Sequence, residues 1–383
     1  MTRTRDILAR LIAHPTVSRT PNADLIGEAR ALLEAAGAVC HETGEADGSR
    51  KNLYATIGPA DRPGIMLSGH TDVVPVEGQD WSRDPFRLTE GDGRLYGRGT
   101  ADMKGFVAAA LAAAERAGGR SLRTPLHVAL SYDEEIGCIG VRSMIDMLAE
   151  APVRPLFCIV GEPTSMAVAT GHKGKLFLRA VCRGREGHSA LAPFALNALH
   201  LAADLVVGLR ALQADLAASG PKDGDYDVPY STVHVGRITG GVALNIVPNE
   251  AIVDFEIRNL ANDPADAILD RIRALAARIV AETADPDAGI GIGIQNSYPG
   301  LGTAPDAEIV GFVKSLTGRN DTIKVAFGTE GGLFSERLGT PTVVCGPGSM
   351  MQGHKPDEFV AVEQLDLCDR MMDGLIDRLE AGL

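Results

Sequence analysis

The chain has 383 residues, 45% of them hydrophobic and 23% charged, which fits a soluble globular protein and excludes a disordered or fibrous one. That length exceeds what one hydrophobic core usually serves, so two domains are expected. The formal charge of -13 comes with no basic run, which argues against nucleic acid or a membrane surface as partner, and no window is apolar enough to span a bilayer.

The first fifteen residues, MTRTRDILARLIAHP, hold no apolar stretch long enough for a signal peptide. The six cysteines are scattered without a Cys-x-x-Cys pair, as free thiols in a reducing compartment would be, so a cytoplasmic protein is expected. Periodicity predicts helices over 6–13 and 23–37, the second closing at Gly37. Strand-like runs then alternate with helices: NLYATIG, GIMLSG, the helix ADMKGFVAAALAAAERAGG, LHVALSY, a helix around GVRSMIDMLAE, and LFCIVGE. This order predicts an open α/β sheet with helices on both faces.

After residue 173 the texture changes. KLFLRAVCRG, the long helix ALNALHLAADLVVGLRALQADL, STVHVGRITGG, EAIVDFEIRN, the helix PADAILDRIRALAARIVAE and the alternation GIGIGI follow in turn. That is a β-α-β-β-α-β unit of ferredoxin-like order, inserted over 174–294. The first texture resumes with a helix at 305–317 and the strand TPTVVCG. The expected division is therefore a discontinuous domain of 1–173 and 295–383 around the insert.

Open α/β sheets bind ligands beyond the carboxyl ends of their strands. His70 and Asp72 follow GIMLSG; Asp133, Glu134 and Glu135 follow LHVALSY; Glu162 follows LFCIVG; and a Gly-rich loop after TPTVVCG carries His354. Asp102 falls in the first turn of a helix. Taken singly, each is explained as a helix-dipole partner, a core histidine or a solvated loop residue. Together they would repel and cost stability unless a cation joined them. Two histidines and three carboxylates suit two divalent metals sharing one acid, and imidazole favours zinc or a neighbouring transition metal. Asp72, two residues past His70 on a strand, would point the same way and take the other imidazole N–H. One glutamate of the 134–135 pair is then left without a metal to hold. There is no Gly-x-Ser-x-Gly elbow, Walker A loop or His-Glu-x-x-His helix. His14, His41, His127, His200 and His234 have no acidic cluster beside them and read as structural.

SGHTDVVP, YGRGTADMKG, DEE, GEPTS, GHSA and GPGSMMQGHKPDE, in this order, resemble the dinuclear zinc amidohydrolases related to carboxypeptidase G, aminoacylase, succinyl-diaminopimelate desuccinylase and acetylornithine deacetylase. The likeness runs from about residue 7 to near the C-terminus. It implies one metal, zinc or cobalt, on His70 and Glu162, a second on Glu135 and His354, and Asp102 bridging. Asp72 would clamp His70, and Glu134 would be the general base acting on a water between the metals. The inserted unit would be a lid and dimerisation domain, with His188 reaching the partner subunit's site of a homodimer. Asn245 and Arg258 fall where the family holds the substrate's carbonyl and α-carboxylate, although Asn259 stands where relatives carry proline after that arginine.

The expected substrate is a small N-acyl amino acid. By the same resemblance FGTEGGLFS would line the pocket and its Glu330 would meet a cationic side chain, which favours hydrolysis of Nα-acetyl-L-ornithine to L-ornithine and acetate in arginine biosynthesis. The alternatives are a desuccinylase, aminoacylase or dipeptidase with the same machinery, or a non-catalytic carboxylate-binding relic of the fold. An intact Glu134 argues against the relic, which needs ligands but no base.

Overall fold

The computed structural model describes residues 2–383. They form two compact units. The first comprises the chain up to Gly171 together with Leu301–Val325 and Thr329–Leu383, and the second comprises His172–Gly300 and Ala326–Gly328.

Among the described residues of the first unit, nine strands share one sheet. In spatial order, eight of them are Val39–Gly44, Lys51–Ile57, Leu126–Ser131, Ile65–His70, Phe157–Val160, Thr342–Val344, Val168–His172 and Leu301–Gly302; Thr322–Val325 pairs with Val168–His172. The centre is parallel: Ile65–His70 runs parallel to both Leu126–Ser131 and Phe157–Val160, which in turn runs parallel to Thr342–Val344. Outer pairings are antiparallel. The central strands are buried along their whole length, which is why they read as unbroken apolar runs. Parallel alignment sends their carboxyl ends to the same edge.

Alternation along Ile65–His70 shows helices on both faces. A Cβ on Gly69 would meet Met103, which precedes the helix Lys104–Gly118, and Val107 within it, whereas Ser68 points the other way, to Glu330 at the start of Gly331–Leu338. Lys104–Gly118 is apolar around almost its full circumference and packs against the sheet, Arg3–Ile12 and Val362–Ala381. The expected helices at 6–13 and 23–37 are Arg3–Ile12 and Ala23–Ala35. The twenty-residue C-terminal helix Val362–Ala381 is not among the sequence expectations, although Leu365, Cys368, Met372, Leu375 and Leu379 trace one helical face.

The second unit holds a four-stranded antiparallel sheet in the order Thr232–Gly240, Glu250–Asn259, Gly174–Arg183, Gly289–Tyr298. With helices Ala198–Ser219 and Ala265–Thr283 it has the ferredoxin-like β-α-β-β-α-β order. Its last strand passes a bulge at Ile294/Asn296 and runs on to pair Tyr298 with Lys175, and the unit reaches Gly300. Leu176, Leu178, Ala180, Val253, Phe255 and Ile257 join the helices in one core. The opposite sheet face carries Arg179, Asp254, Glu256 and Arg258.

Candidate metal centre and active site

The sheet edge of the first unit collects the carboxylates and imidazoles. His70 ends its strand; its Nε2 lies 3.1 Å from Asp102 Oδ1 and 3.6 Å from Glu162 Oε1. His354 Nε2 lies 3.0 Å from Asp102 Oδ2 and 2.9 Å from Glu135 Oε2. Each oxygen of Asp102 therefore faces one imidazole. Two groups result, His70–Asp102–Glu162 and Asp102–Glu135–His354, each with its donor atoms within 4.8 Å of one another. His70, Asp102 and Glu162 are buried, while the His354 side chain is 46% exposed.

Asp72 does more than the sequence suggests. The strand stops at His70, so His70 Nδ1 meets the backbone carbonyl of Asp72 at 2.9 Å, closer than the carboxylate at 3.5 Å. A proton on Nδ1 leaves Nε2 free as a ligand. The Asp72 carboxylate instead accepts from Ser18 Oγ at 2.7 Å and from the backbone N–H groups of Glu134 at 3.0 Å and Glu135 at 3.3 Å. It thus fixes the turn that presents both glutamates. Asp133, held by the Arg19 N–H at 2.6 Å and by the Arg50 guanidinium, secures the same turn from outside.

This concentration of charge displaces the pKa values. Burial opposes charge on His70, yet Asp102 and Asp72 hold its imidazole well above the usual range. Burial also works against ionised Asp102, but His354 and His70 overcome it and keep the carboxyl below the usual range. Glu134 is pushed well above its usual range by burial; His70 opposes, and Glu135 and Glu330 add to the rise. Burial and Asp102 push Glu135 up to about 7 and raise Glu162 strongly. Contacts with Asp102 and Glu135 push His354 up to about 10.

Carboxylates packed this closely repel one another, a cost that a cation between them relieves. Within the two groups, Glu135 Oε1 is buried without a hydrogen-bond partner. Each group offers an imidazole nitrogen and two carboxylates, the donor set of a zinc-type cation. The residues fit such ions.

Glu330, expected to line the substrate pocket, lies deep against the sheet. It is 2% exposed at the N-terminus of Gly331–Leu338, with Oε2 taking a 3.3 Å contact from Ser68 and Oε1 unpartnered. Burial pushes its carboxyl up to about 7. Three expected residues belong to the second unit. His188 pairs with Ile246 across a short ladder, and the Ser189 N–H donates to the Asn245 carbonyl at 3.0 Å. Arg258 is held by Glu256 at 3.0 Å and by the Tyr298 hydroxyl at 3.0 Å.

Sequence reasoning gave no role to Glu358, the last residue of GHKPDE. Its carboxylate is buried and accepts from the backbone N–H groups of Gly99, Ala101 and Asp102. Three N–H donors from one loop onto one oxygen cannot be foreseen from spacing alone. Cys138 is likewise new to the site, with Sγ 3.3 Å from Glu134 Oε1.

Two imidazole–carboxylate groups sharing an aspartate, beside a further buried glutamate at the edge of an α/β sheet, define a metal-dependent hydrolase. Residues 66–378 match the model of Peptidase family M20/M25/M40. The chain belongs to that family. Acetylornithine deacetylase of Myxococcus xanthus is 35% identical over 374 residues, covering 96% of this chain and 95% of that one. The enzyme of the same name from Pasteurella multocida is 33% identical over 342 residues, covering 88% and 86%. Among solved structures, an M20 family metallo-carboxypeptidase from Sulfolobus solfataricus superposes with a TM-score of 0.79 at 19% identity, covering 100% of both chains. A dinuclear metal binding peptidase of the family from Bacillus subtilis gives 0.70 at 15%, covering 99% and 98%. These two likenesses speak for the fold.

Proposed function

We propose that this chain hydrolyses the amide of Nα-acetyl-L-ornithine to L-ornithine and acetate, supplying ornithine for arginine biosynthesis. The observation that carries the reading is the pair of groups joined through Asp102, with Glu134 beside them. The named deacetylases, similar over almost the whole chain, support the choice of substrate.

His70 and Glu162 would hold one divalent cation and Glu135 and His354 the other, with Asp102 shared between them. Zinc suits the donors best, cobalt next. Such ions, when bound, polarise an amide carbonyl and make water a nucleophile at neutral pH. Glu134 takes the proton of the attacking water and returns it to the departing amine nitrogen. Its buried carboxylate is poised for both transfers, because burial raises its proton affinity. Asp72 orients Glu134 through the backbone N–H it accepts. Arg258 is the group for the substrate's α-carboxylate, to which a guanidinium binds with two parallel hydrogen bonds. His188 and Asn245 are read as groups for the carbonyl. Glu330, with one oxygen unpartnered, is the acceptor for the side-chain ammonium.

The second unit is read as a lid and dimerisation domain. Exposed Phe194, Val242 and Leu244 support a homodimer. Six free cysteines, five of them buried, and no helix long and apolar enough to cross a membrane among the described residues support the cytoplasm as its compartment. Acetate release from Nα-acetyl-L-ornithine by chelator-stripped protein, before and after zinc is restored, tests the activity. Zinc-dependent release is expected; none from protein carrying two zinc ions would overturn the proposal.

A further inference from the structure

His354 differs from the other residues of the two groups. It is half exposed, sits on an irregular loop, and has a φ of 61°, a conformation costly for a side-chain-bearing residue. Something must hold it where Nε2 meets Asp102 and Glu135.

A chain of hydrogen bonds in the first unit connects its backbone to that of Asp102. Gln79 Nε2 donates to the His354 carbonyl at 2.9 Å. Gln79 Oε1 accepts from Arg98 Nη2 at 2.5 Å and from the Trp81 indole N–H at 3.1 Å. Arg98 Nη1 donates to Glu358 Oε2 at 2.6 Å, and Arg98 also lies over the Trp81 ring. Glu358 Oε1 then accepts the N–H groups of Gly99, Ala101 and Asp102 at 3.0–3.1 Å. The same two segments touch again where the Ser82 N–H donates to Asp357 Oδ1 at 3.0 Å.

Arg98 and Glu358 are both buried, and a buried charge pair is expensive to desolvate. Its cost is offset here by the partners of the Glu358 carboxylate and of the two Arg98 Nη groups, although Arg98 Nε has none. A carboxylate satisfied by three backbone N–H groups and a guanidinium is a rigid clamp on the loop it serves.

We propose that Gln79, Arg98 and Glu358 are positioning residues that lock the His354 loop to the Asp102 loop, and that Gln79 selectively sets the affinity of the cation held by His354. The inference rests on the two-cation reading of the site. None of the three reaches the donor atoms; each acts through backbone that carries a ligand. The asymmetry is the distinctive part. Gln79 bonds the His354 carbonyl directly and reaches the Asp102 loop only through Arg98, which keeps Glu358 when Gln79 is lost, so its loss loosens chiefly one cation. Glu358 holds Asp102, which belongs to both groups, so its loss loosens two.

The test is a titration of chelator-stripped full-length protein with zinc, using a competing chromophoric chelator to resolve two dissociation constants. Gln79→Met, at a half-buried side chain, keeps length and removes both the donor to His354 and the acceptor for Arg98 Nη2, while the Arg98–Glu358 pair and the three N–H bonds to Glu358 remain. It should weaken one constant by about 10–100-fold, the range for residues that orient metal ligands, and leave the other within twofold. Glu358→Gln should weaken both, with circular dichroism confirming its fold. Two unchanged constants in Gln79→Met, or equal loss at both sites, would overturn the inference while leaving the two-cation reading intact. Fewer than two zinc ions on the unsubstituted chain would overturn that reading, and the inference with it.

Discussion

Replacing Glu134 by glutamine separates proton transfer from everything else the site does. The two side chains have nearly the same shape, and the Asp72 carboxylate grips the backbone N–H of residue 134 whichever is present. The amide cannot accept a proton. General-base catalysis contributes about 10²–10⁴-fold, so kcat should fall by that factor, equivalent to about 3–5 kcal/mol of barrier. KM and zinc content should stay near their unsubstituted values, because Glu134 lies outside both donor groups. Stability should move the other way. Glu134 is buried and repelled by Glu135 and Glu330, so the metal-free variant should melt no lower than the parent above neutral pH, where repulsion is strongest. Steady-state kinetics, zinc analysis and thermal melts on one preparation give all three readouts. A Glu134→Gln protein that keeps its zinc and more than a tenth of the parent kcat would refute the assignment of the base.

Other expectations reach beyond that residue. Gly161 precedes Glu162 where the sheet meets Phe106, and a Cβ there would lie 1.9 Å from Phe106 Cγ; Gly161→Ala should cost about 1–3 kcal/mol in urea unfolding as the buried ring is displaced. His127 lies away from the site, stacked on Tyr54 and 2.9 Å from Thr56 Oγ1, and burial lowers its pKa to about 4. The unfolded chain takes up that proton near pH 6.5 while the fold does not, so stability is present above that pH and is lost as pH falls toward 4. Between pH 7 and pH 5 the parent should lose about 2 kcal/mol more than His127→Gln, and equal losses would show that His127 is not held neutral.

Much of this was legible in the sequence because strand ends punctuate an apolar run. His70 ends a buried strand and Glu135 and Glu162 follow two others, and parallel alignment then puts them on one edge. The β-α-β-β-α-β order was equally readable, since alternation over Gly174–Arg183 and Glu250–Asn259 differs from the continuous burial of the central strands. What stayed hidden depends on contacts between segments far apart in the chain. Glu358 clamps a loop more than 250 positions earlier, with sequence separations of 256 to 259, and nothing local marks its three N–H donors. Asp72 stays within 3.5 Å of His70 Nδ1, as strand alternation predicts, but its second role is not legible from that alternation. The strand ends at His70, which frees the Asp72 carboxylate for the glutamate turn. The depth of Glu330 is hidden for the same reason: the helix it starts lies against sheet strands far away in sequence, which leaves it 2% exposed.

The substrate assignment is tested most directly by kcat/KM of the zinc-loaded protein on Nα-acetyl-L-ornithine, Nα-acetyl-L-methionine and N-succinyl-LL-diaminopimelate. The account expects acetylornithine to be preferred by at least tenfold, and that preference to shrink in Glu330→Gln, where the acceptor for the ammonium loses its charge. Faster turnover of either competitor, with acetylornithine left intact, would contradict it.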